Sequence, residues 1–283
     1  TMLGLAGYYA SLDYARNRPQ GRAMTTAGKN ATSPQVRIIE HADVKRMLLA
    51  QKSYSEGALA LALYCARLVD EQHTGATDAA NEARLLLEVL TPIVKSFPSE
   101  WCLEANSLAI QIHGGYGYTR DFPVEQYWRD NRLNMIHEGT HGIQAMDLLG
   151  RKVLMEEGAG LKLLAQRMQA TIARVSPEWQ AEAQQLADAL KQVGAATQTA
   201  WKGAQPAEAL ANAVPYLQAF GHTVIAWIWL DVVHSAKGNA PAAVGRQAAA
   251  RYFFRYELPK IGAWLQVVST RDSTCADVPE DAF

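Results

Sequence analysis

The sequence predicts an all-α protein with no sheet, folded as two packed helical bundles. Apolar and polar residues do not alternate over any long stretch of the 283 residues, and turn signals are widely spaced. Apolar residues instead recur at three- and four-residue intervals, the spacing of one face of an α-helix. The length allows one large domain or two smaller ones.

The first part of the chain is predicted to hold a short helix and then a much longer one. The short helix runs to about Arg18, beyond which asparagine, proline and glycine break the pattern. Ser33 and Pro34 predict the start of the second helix, because serine caps helix N-termini and proline suits the first turn. The periodic pattern then continues to about Glu71.

A third helical segment is predicted after a break at residues 74–77. Pro92 predicts a kink in it, and Pro98 predicts an interruption before a further helix over residues 101–113. Shorter helices at about 124–131 and 139–155 complete this half.

Gly158 and Gly160 mark the expected boundary between two halves of the chain. Beyond them the pattern predicts about four helical segments, at 161–175, 177–201, 206–236 and 241–268. We therefore expect one domain over residues 1–153 and a second over residues 154–283.

Composition excludes several classes of partner. The formal net charge is −1 and no basic run occurs, which argues against nucleic-acid binding. The longest apolar run, residues 224–233, is too short to span a membrane.

The three cysteines, Cys65, Cys102 and Cys275, are far apart and form no CxxC pair. This pattern favours a reduced, cytoplasmic protein over a disulfide scaffold.

The most specific stretch begins where a helix ends in glycines. Gln111 is followed by Gly114 and Gly115 at the third and fourth positions, on the same helix face. Paired glycines let a ligand approach the backbone closely. The glycines alone favour an ordinary helix C-cap over a ligand site.

Glu138 is the candidate catalytic base. It lies just before a predicted helix start, where the helix dipole favours a carboxylate and neighbouring N–H groups, such as that of Gly139, can donate to an oxyanion. An apolar setting would raise its pKa toward the range of a general base. A capping glutamate would occupy the same position.

Three blocks follow one another between residues 111 and 144. They read Gln-x-x-Gly-Gly-x-Gly-Tyr over 111–118, Pro-x-Glu-x-x-x-Arg-Asp over 123–130 and Glu-Gly-Thr-x-x-Ile-Gln over 138–144. These three blocks and the spacing between them resemble the sequence pattern of the C-terminal helical bundle in the acyl-CoA dehydrogenase family. Residues 14–22 are similar to the loop that ends the first helix of that bundle, and residues 154–283 resemble the helical extension of longer members.

The resemblance implies a specific chemistry. Glu138 would take the α-proton of an acyl-CoA thioester, with His137 and Gly139 beside the substrate, while FAD accepts the β-hydrogen as hydride. The FAD would be shared across a subunit interface, which implies at least a homodimer, and electron-transfer flavoprotein would reoxidise it. The residues implied to contact FAD are Arg18, Gln111, Gly114, Gly115 and Thr140.

The resemblance also implies that parts of the enzyme lie outside these 283 residues. Family members carry an N-terminal helical domain and a central β-domain before the bundle, and neither pattern is present in this sequence. We therefore expect weak FAD binding and little turnover from this chain alone.

Two other classes of function remain open. Residues 137–141 read His-Glu-x-x-His, a zinc-hydrolase signature in which His137 and His141 would bind the metal and Glu138 would activate water. That signature needs one helix through both histidines, and Gly139 and Thr140 disfavour it. The dehydrogenase resemblance accounts for more of the neighbouring residues, so we predict no metal site. A non-catalytic helical interaction module is the third class.

Overall fold

The computed structural model describes residues 1–26, 28–29, 32–137, 140–236 and 238–283, with no side-chain description at positions 25 and 29. The all-α class predicted from the sequence is confirmed. Within the described residues, none of the helices combines the length and the apolar character needed to cross a membrane. The helices are α1 (Met2–Asn17), α2 (Ala42–Thr74), α3 (Thr77–His113), α4 (Val124–Arg132), α5 (His141–Asp147), α6 (Met155–Arg174), α7 (Gln180–Trp201), α8 (Pro206–Leu210), α9 (Ala213–Ser235), α10 (Pro241–Tyr252), α11 (Ile261–Thr270) and α12 (Thr274–Asp277).

A small hairpin between α1 and α2 is a local exception to the expected absence of a sheet. Strand β1 (Met24–Thr25) pairs antiparallel with β2 (Gly28–Lys29). Gly28 has a φ of +89°, a conformation that glycine adopts without the steric cost of a side chain. The hairpin lies between α1 and α2 and interrupts neither helix.

The predicted helix start at Ser33 and Pro34 is wrong. Residues 34–36 have no regular secondary structure and Ile38–Glu40 form a 3-10 turn, so α2 begins only at Ala42. The cause is a distant pairing: the N–H of Gln20 donates to the carbonyl of Val36, and the N–H of Ile38 donates to the carbonyl of Arg18. Those hydrogen bonds take backbone groups that a helix would otherwise use.

The interruption predicted at Pro98 is also wrong, whereas the kink at Pro92 stays a prediction. Helix α3 runs without a break from Thr77 to His113. An interior proline costs about 3 kcal/mol in an isolated helix. Neighbouring side chains such as Ile93 and Phe97 are buried, and their packing offsets that cost.

The chain divides into two compact units that interrupt one another in sequence. The first comprises residues 1–58 and 98–135, and the second comprises residues 59–97 and 136–283. The two domains predicted from the sequence, residues 1–153 and 154–283, are continuous stretches of chain. Their boundary stays a prediction.

The first unit has its own apolar core. The core is formed by α1, by the first part of α2 and by the end of α3, and the 3-10 turn before α2 closes one side of it. Burial of these side chains is the main favourable term for this unit. The buried members are Tyr8, Ala15, Ile38, Met47, Leu48 and Ile112.

The second unit is organised around α9. This helix is buried on nearly every face and packs against α5, α6, α7, α10 and α11. A helix that is apolar all round is stable only inside a protein or a membrane, and these neighbouring helices keep most of α9 away from water. Near the expected boundary, the backbone of Glu156, Glu157 and Gly158 is left-handed.

Glycine at position 160 is required by close packing within the second unit. A Cβ there would lie 2.8 Å from the carbonyl oxygen of Leu85 and 2.9 Å from a methyl group of Val89. Because one of these atoms belongs to the backbone, the clash cannot be relieved by a side-chain rotation.

We expect Gly160→Ala to lower the free energy of unfolding by about 1–3 kcal/mol, since overpacking forces the helix away from its neighbour. Gly194→Ala is the matched control, because a Cβ on α7 at that position meets nothing within 4 Å. The control is expected to raise stability by up to about 1 kcal/mol through its higher helix propensity. Urea unfolding of both variants measures this, and equal effects would contradict it.

Candidate flavin-binding turn and base loop

Arg18 lies directly after α1 and is held by the end of that helix. Its backbone is extended, and its N–H donates to the carbonyl of Tyr14 at 2.9 Å. Its guanidinium carbon lies 5.6 Å from the centre of the Tyr116 ring, within range of a cation–π interaction. The Nε atom of Arg18 is buried and has no hydrogen-bond partner among the residues that the structure describes.

The turn that carries Gly114 and Gly115 is a five-residue 3-10 segment, Gly114–Tyr118, which follows α3 directly. Gly114 has a φ of +61°, so this position favours glycine. A Cβ at Gly114 or Gly115 would meet nothing within 4 Å. Gly117 differs, because a Cβ there would lie 2.6 Å from the carbonyl oxygen of Ile110. Gly117 is required by packing, whereas Gly115 leaves open space in front of the backbone.

An aromatic cluster fixes the turn against α1. The His113 ring is buried and stacks on Tyr14, with ring centres 4.3 Å apart and an angle of 25°. Phe122 contacts both rings edge-on, at 5.4 Å from Tyr14 and 5.2 Å from His113, and it also contacts Tyr116. The ring beneath Arg18 is therefore itself held in place.

Three parts of the predicted flavin site meet in the first unit. Gln111 is exposed on the last turn of α3, three residues before Gly114. Arg18 reaches the same turn through its contact with Tyr116. Tyr116 is the residue that sequence reasoning missed. Its only signal was its place inside the glycine block, since the contact with Arg18 joins segments almost a hundred residues apart.

The predicted base loop belongs to the second unit. His137 is exposed in a turn, while Glu138 and Gly139 lie outside the described residues. Thr140 is exposed and occupies the N-cap position of α5, which begins at His141. The predicted helix start is therefore present, two residues later than the sequence indicated.

The helix that the zinc alternative requires is not formed at His137. That residue lies in a turn and His141 is the first residue of α5, so the two rings are not presented by one helical turn. No group of three His, Cys, Asp or Glu side chains suited to a metal occurs within the described ranges. The geometry gives the zinc reading no support.

Two family models together match most of the chain. Residues 6–154 match the model described as "Acyl-CoA dehydrogenase, C-terminal domain". Residues 164–279 match the model described as "Acetyl-CoA dehydrogenase C-terminal like". The chain belongs to the acyl-CoA dehydrogenase family.

Individual acyl-CoA dehydrogenases are similar to most of this chain but to only part of their own length. A 3-methylmercaptopropionyl-CoA dehydrogenase from Ruegeria pomeroyi is 38% identical over 226 residues, which cover 78% of this chain and 38% of that protein. A broad-specificity linear acyl-CoA dehydrogenase from Mycobacterium tuberculosis is 29% identical over 299 residues, covering 98% of this chain and 49% of that protein. The chain thus spans half or less of the length of these relatives.

A solved structure shows the same fold. The crystal structure of an acyl-CoA dehydrogenase from Bacillus anthracis, complexed with FAD, superimposes with a TM-score of 0.68 at 19% identity. The match covers 99% of this chain and 49% of that chain.

The buried His113 generates a pH-dependent contribution to stability. Burial lowers the pKa of His113 from its ordinary value of 6.5, against a smaller opposing effect of the hydrogen bond to the Ala109 carbonyl. The folded chain therefore binds this proton less readily than the unfolded chain. The stabilisation is present above pH 6.5 and is lost as the pH falls below it.

We expect the free energy of unfolding to fall between pH 7.5 and pH 5.5, by at most about 1.4 kcal/mol per pH unit for this residue. His113→Phe keeps an aromatic ring against Tyr14 but cannot titrate, so its stability is expected to depend less on pH. Urea unfolding at the two pH values measures the difference. The same pH dependence in both proteins would show that His113 does not contribute.

Proposed function

We propose that this chain supplies the flavin-binding turn and the catalytic base of an acyl-CoA dehydrogenase. The reaction is the α,β-dehydrogenation of an acyl-CoA thioester to the 2-enoyl-CoA. The residues assigned to FAD are Arg18, Gln111, Gly114, Gly115 and Thr140, and those assigned to the substrate are His137, Glu138 and Gly139. Because the chain spans half or less of its relatives, the activity is proposed for the full-length protein.

The observation that carries the proposal is the buried Nε of Arg18 beside an open glycine turn. A buried donor without a partner costs about 1–3 kcal/mol, and an anion placed there would remove that cost. The pyrophosphate of FAD has the charge and geometry that a guanidinium prefers. Gly115 leaves room for such a group to approach the backbone. The residues present therefore fit the adenosine-diphosphate half of the cofactor.

Glu138 is proposed to start the reaction as a general base. Its carboxylate takes the proton from the α-carbon, and the electron pair left there becomes the new carbon–carbon double bond as hydride leaves the β-carbon. Bound FAD would supply the acceptor for that hydride. The N–H of Glu138 is proposed to donate to the thioester carbonyl, which stabilises the enolate charge that develops on its oxygen.

Further proposals rest on the family resemblance. Electron-transfer flavoprotein is proposed to accept the electrons, and the active form is proposed to be at least a homodimer, with the FAD shared between subunits. Cytoplasmic location is proposed from the sparse, unpaired cysteines.

The first test concerns retention of FAD by the full-length protein. Arg18→Ala is expected to lower the bound FAD per protein at least tenfold, since a charge-assisted contact to phosphate contributes about 1.5–3 kcal/mol. Arg16→Ala is the matched control, because Arg16 is an exposed arginine in the last turn of α1. Flavin absorbance after gel filtration gives the ratio.

A pair of glycine variants separates cofactor binding from folding. Gly115→Ala is expected to keep the wild-type stability and lose FAD, whereas Gly117→Ala is expected to lose stability because of the clash with Ile110. Full FAD content in both Arg18→Ala and Gly115→Ala would overturn the assignment of this turn.

The second test separates the dehydrogenase from the zinc alternative at the base loop. Glu138→Gln is expected to keep FAD and acyl-CoA binding while flavin bleaching by substrate slows at least a hundredfold, because proton abstraction is lost. His141→Ala is expected to bleach at close to the wild-type rate. Anaerobic stopped-flow absorbance and zinc analysis of all three proteins measure this. Stoichiometric zinc that disappears in His141→Ala would refute the dehydrogenase assignment.

A further inference from the structure

A cavity of about 580 Å³ lies in the second unit, between the later part of α2 and the helices α6 and α9. All of its lining residues fall within residues 59–97 or 136–283, so this α2–α6–α9 cavity belongs to that unit alone. None of the described residues assigned to FAD or to acyl-CoA lines it. Small-molecule sites have volumes of roughly 300–1,000 Å³, and this cavity falls within that range.

The inner wall of the cavity is apolar, and its polar atoms are already hydrogen-bonded. Trp227 and Ile228 line this wall and are each only 4% exposed. The indole N–H of Trp227 donates to the hydroxyl of Thr171 at 2.9 Å, and that hydroxyl donates to the carbonyl of Arg167 at 3.3 Å. Because the indole and the hydroxyl have their partners, this wall offers a ligand apolar surface rather than hydrogen bonds.

Two small side chains keep the cavity open. Ala60 on α2 and Ala170 on α6 both line it, where longer side chains would fill the space. Leu63, which also lines it, is an exposed large apolar residue. An aliphatic ligand lying against these three residues would remove apolar surface from water, which favours binding.

The charged residues of the cavity are mostly positive. Among the described residues that line it, three carry a guanidinium and one carries a carboxylate. Arg174 is paired with that carboxylate, Asp231, and Arg167 is paired with Glu82, which does not line the cavity. These two ion pairs account for two of the three positive charges.

Arg67 is the third cation, and no carboxylate in the described part of the chain forms an ion pair with it. Its side chain is exposed, and its guanidinium carbon lies 5.2 Å from the centre of the Tyr64 ring. Burial raises the pKa of Tyr64, and the positive charges of Arg67 and Arg167 act in the opposite direction. One positive charge beside the apolar wall is therefore available to an anion.

We propose that the α2–α6–α9 cavity binds a fatty carboxylate, with the aliphatic chain between Ala60 and Ala170 and the carboxylate on Arg67. A single guanidinium suits a singly charged carboxylate, to which it can donate two parallel hydrogen bonds. A nucleotide base would need an open aromatic face for stacking, whereas Arg67 lies over the Tyr64 ring and Trp227 meets that ring edge-on. The site requires neither FAD nor turnover.

The first comparison varies the charge of the ligand. Full-length protein is titrated calorimetrically with decanoate and with decanol, which has the same chain length but no charge, both below micelle-forming concentrations. Wild-type protein is expected to bind decanoate about two- to fivefold more tightly than decanol, because an exposed charge pair adds modestly to apolar contact. Arg67→Gln is expected to lose this preference. Arg246→Gln is the matched control, because Arg246 is exposed on α10 and does not line the cavity.

The second comparison fills the cavity. Ala170→Leu is expected to weaken the binding of both decanoate and decanol at least tenfold, because the added side chain occupies the place of the aliphatic chain. Ala173→Leu is the matched control, since Ala173 is exposed on the same helix and does not line the cavity. Leucine is a good helix former, so both variants are expected to fold. The affinity for acyl-CoA is expected to stay unchanged in all four variants.

Each contrary result overturns a stated part of the proposal. A wild-type protein that does not bind decanoate, or equal affinity in wild type and Ala170→Leu, overturns the site. A preference for decanoate that persists in Arg67→Gln overturns the role of Arg67. Losses of the same size in the control variants overturn both assignments.

Two further titrations identify other ligands. Binding of AMP but not of decanoate, lost in Ala170→Leu, overturns the carboxylate in favour of a nucleotide. Parallel losses of decanoate and acyl-CoA affinity in Arg67→Gln and Ala170→Leu would mean that decanoate reports on the substrate site, which also overturns the proposal. A protein that holds no FAD yet gives the expected decanoate titrations would overturn the proposed function and leave this site standing.

Discussion

The stacking of His113 on Tyr14 is the interaction on which the candidate cofactor site depends. It joins the last residue of α3 to the last turns of α1, and Phe122 closes it from the side. Because α3 has to end where this ring is held, the glycine turn that follows begins at a fixed place. Tyr116, and through it Arg18, is then positioned by the same cluster. One cluster of aromatic rings, with His113 buried at its centre, thus connects several residues that are distant in sequence.

Most of the helices could be predicted from the sequence because their apolar residues recur at helical spacing. Predictions failed where distant segments decide the outcome. Ser33 and Pro34 carry a good local signal for a helix start, but the hydrogen bond from Gln20 to Val36 uses a backbone group that the helix would need. Pro98 carries a good local signal for a break, but burial of the surrounding side chains keeps α3 continuous. Start and stop signals for helices are read from neighbouring residues, so they cannot show contacts with distant segments.

The candidate site shows the same division. Its glycines and Arg18 are recognisable because they occur in ordered blocks with a fixed spacing. Tyr116 and the α2–α6–α9 cavity are not recognisable in this way, since each depends on contacts between segments far apart in sequence. Arginine and alanine are also common in helices, so their presence at positions 67 and 170 gave no hint of a shared cavity. A cavity between three helices is visible only once the helices are packed.

The place of α9 in the sequence has a consequence during synthesis of the chain. Two of the helices that cover it, α10 and α11, follow it in the chain. While the ribosome is still synthesising those two, the apolar surface of α9 that they will cover stays open to water and to other nascent chains. Products that stop between Ser235 and Pro241 would carry that surface permanently. They are therefore expected to be substrates for chaperones and proteases, even though every residue assigned to FAD or acyl-CoA is present in them.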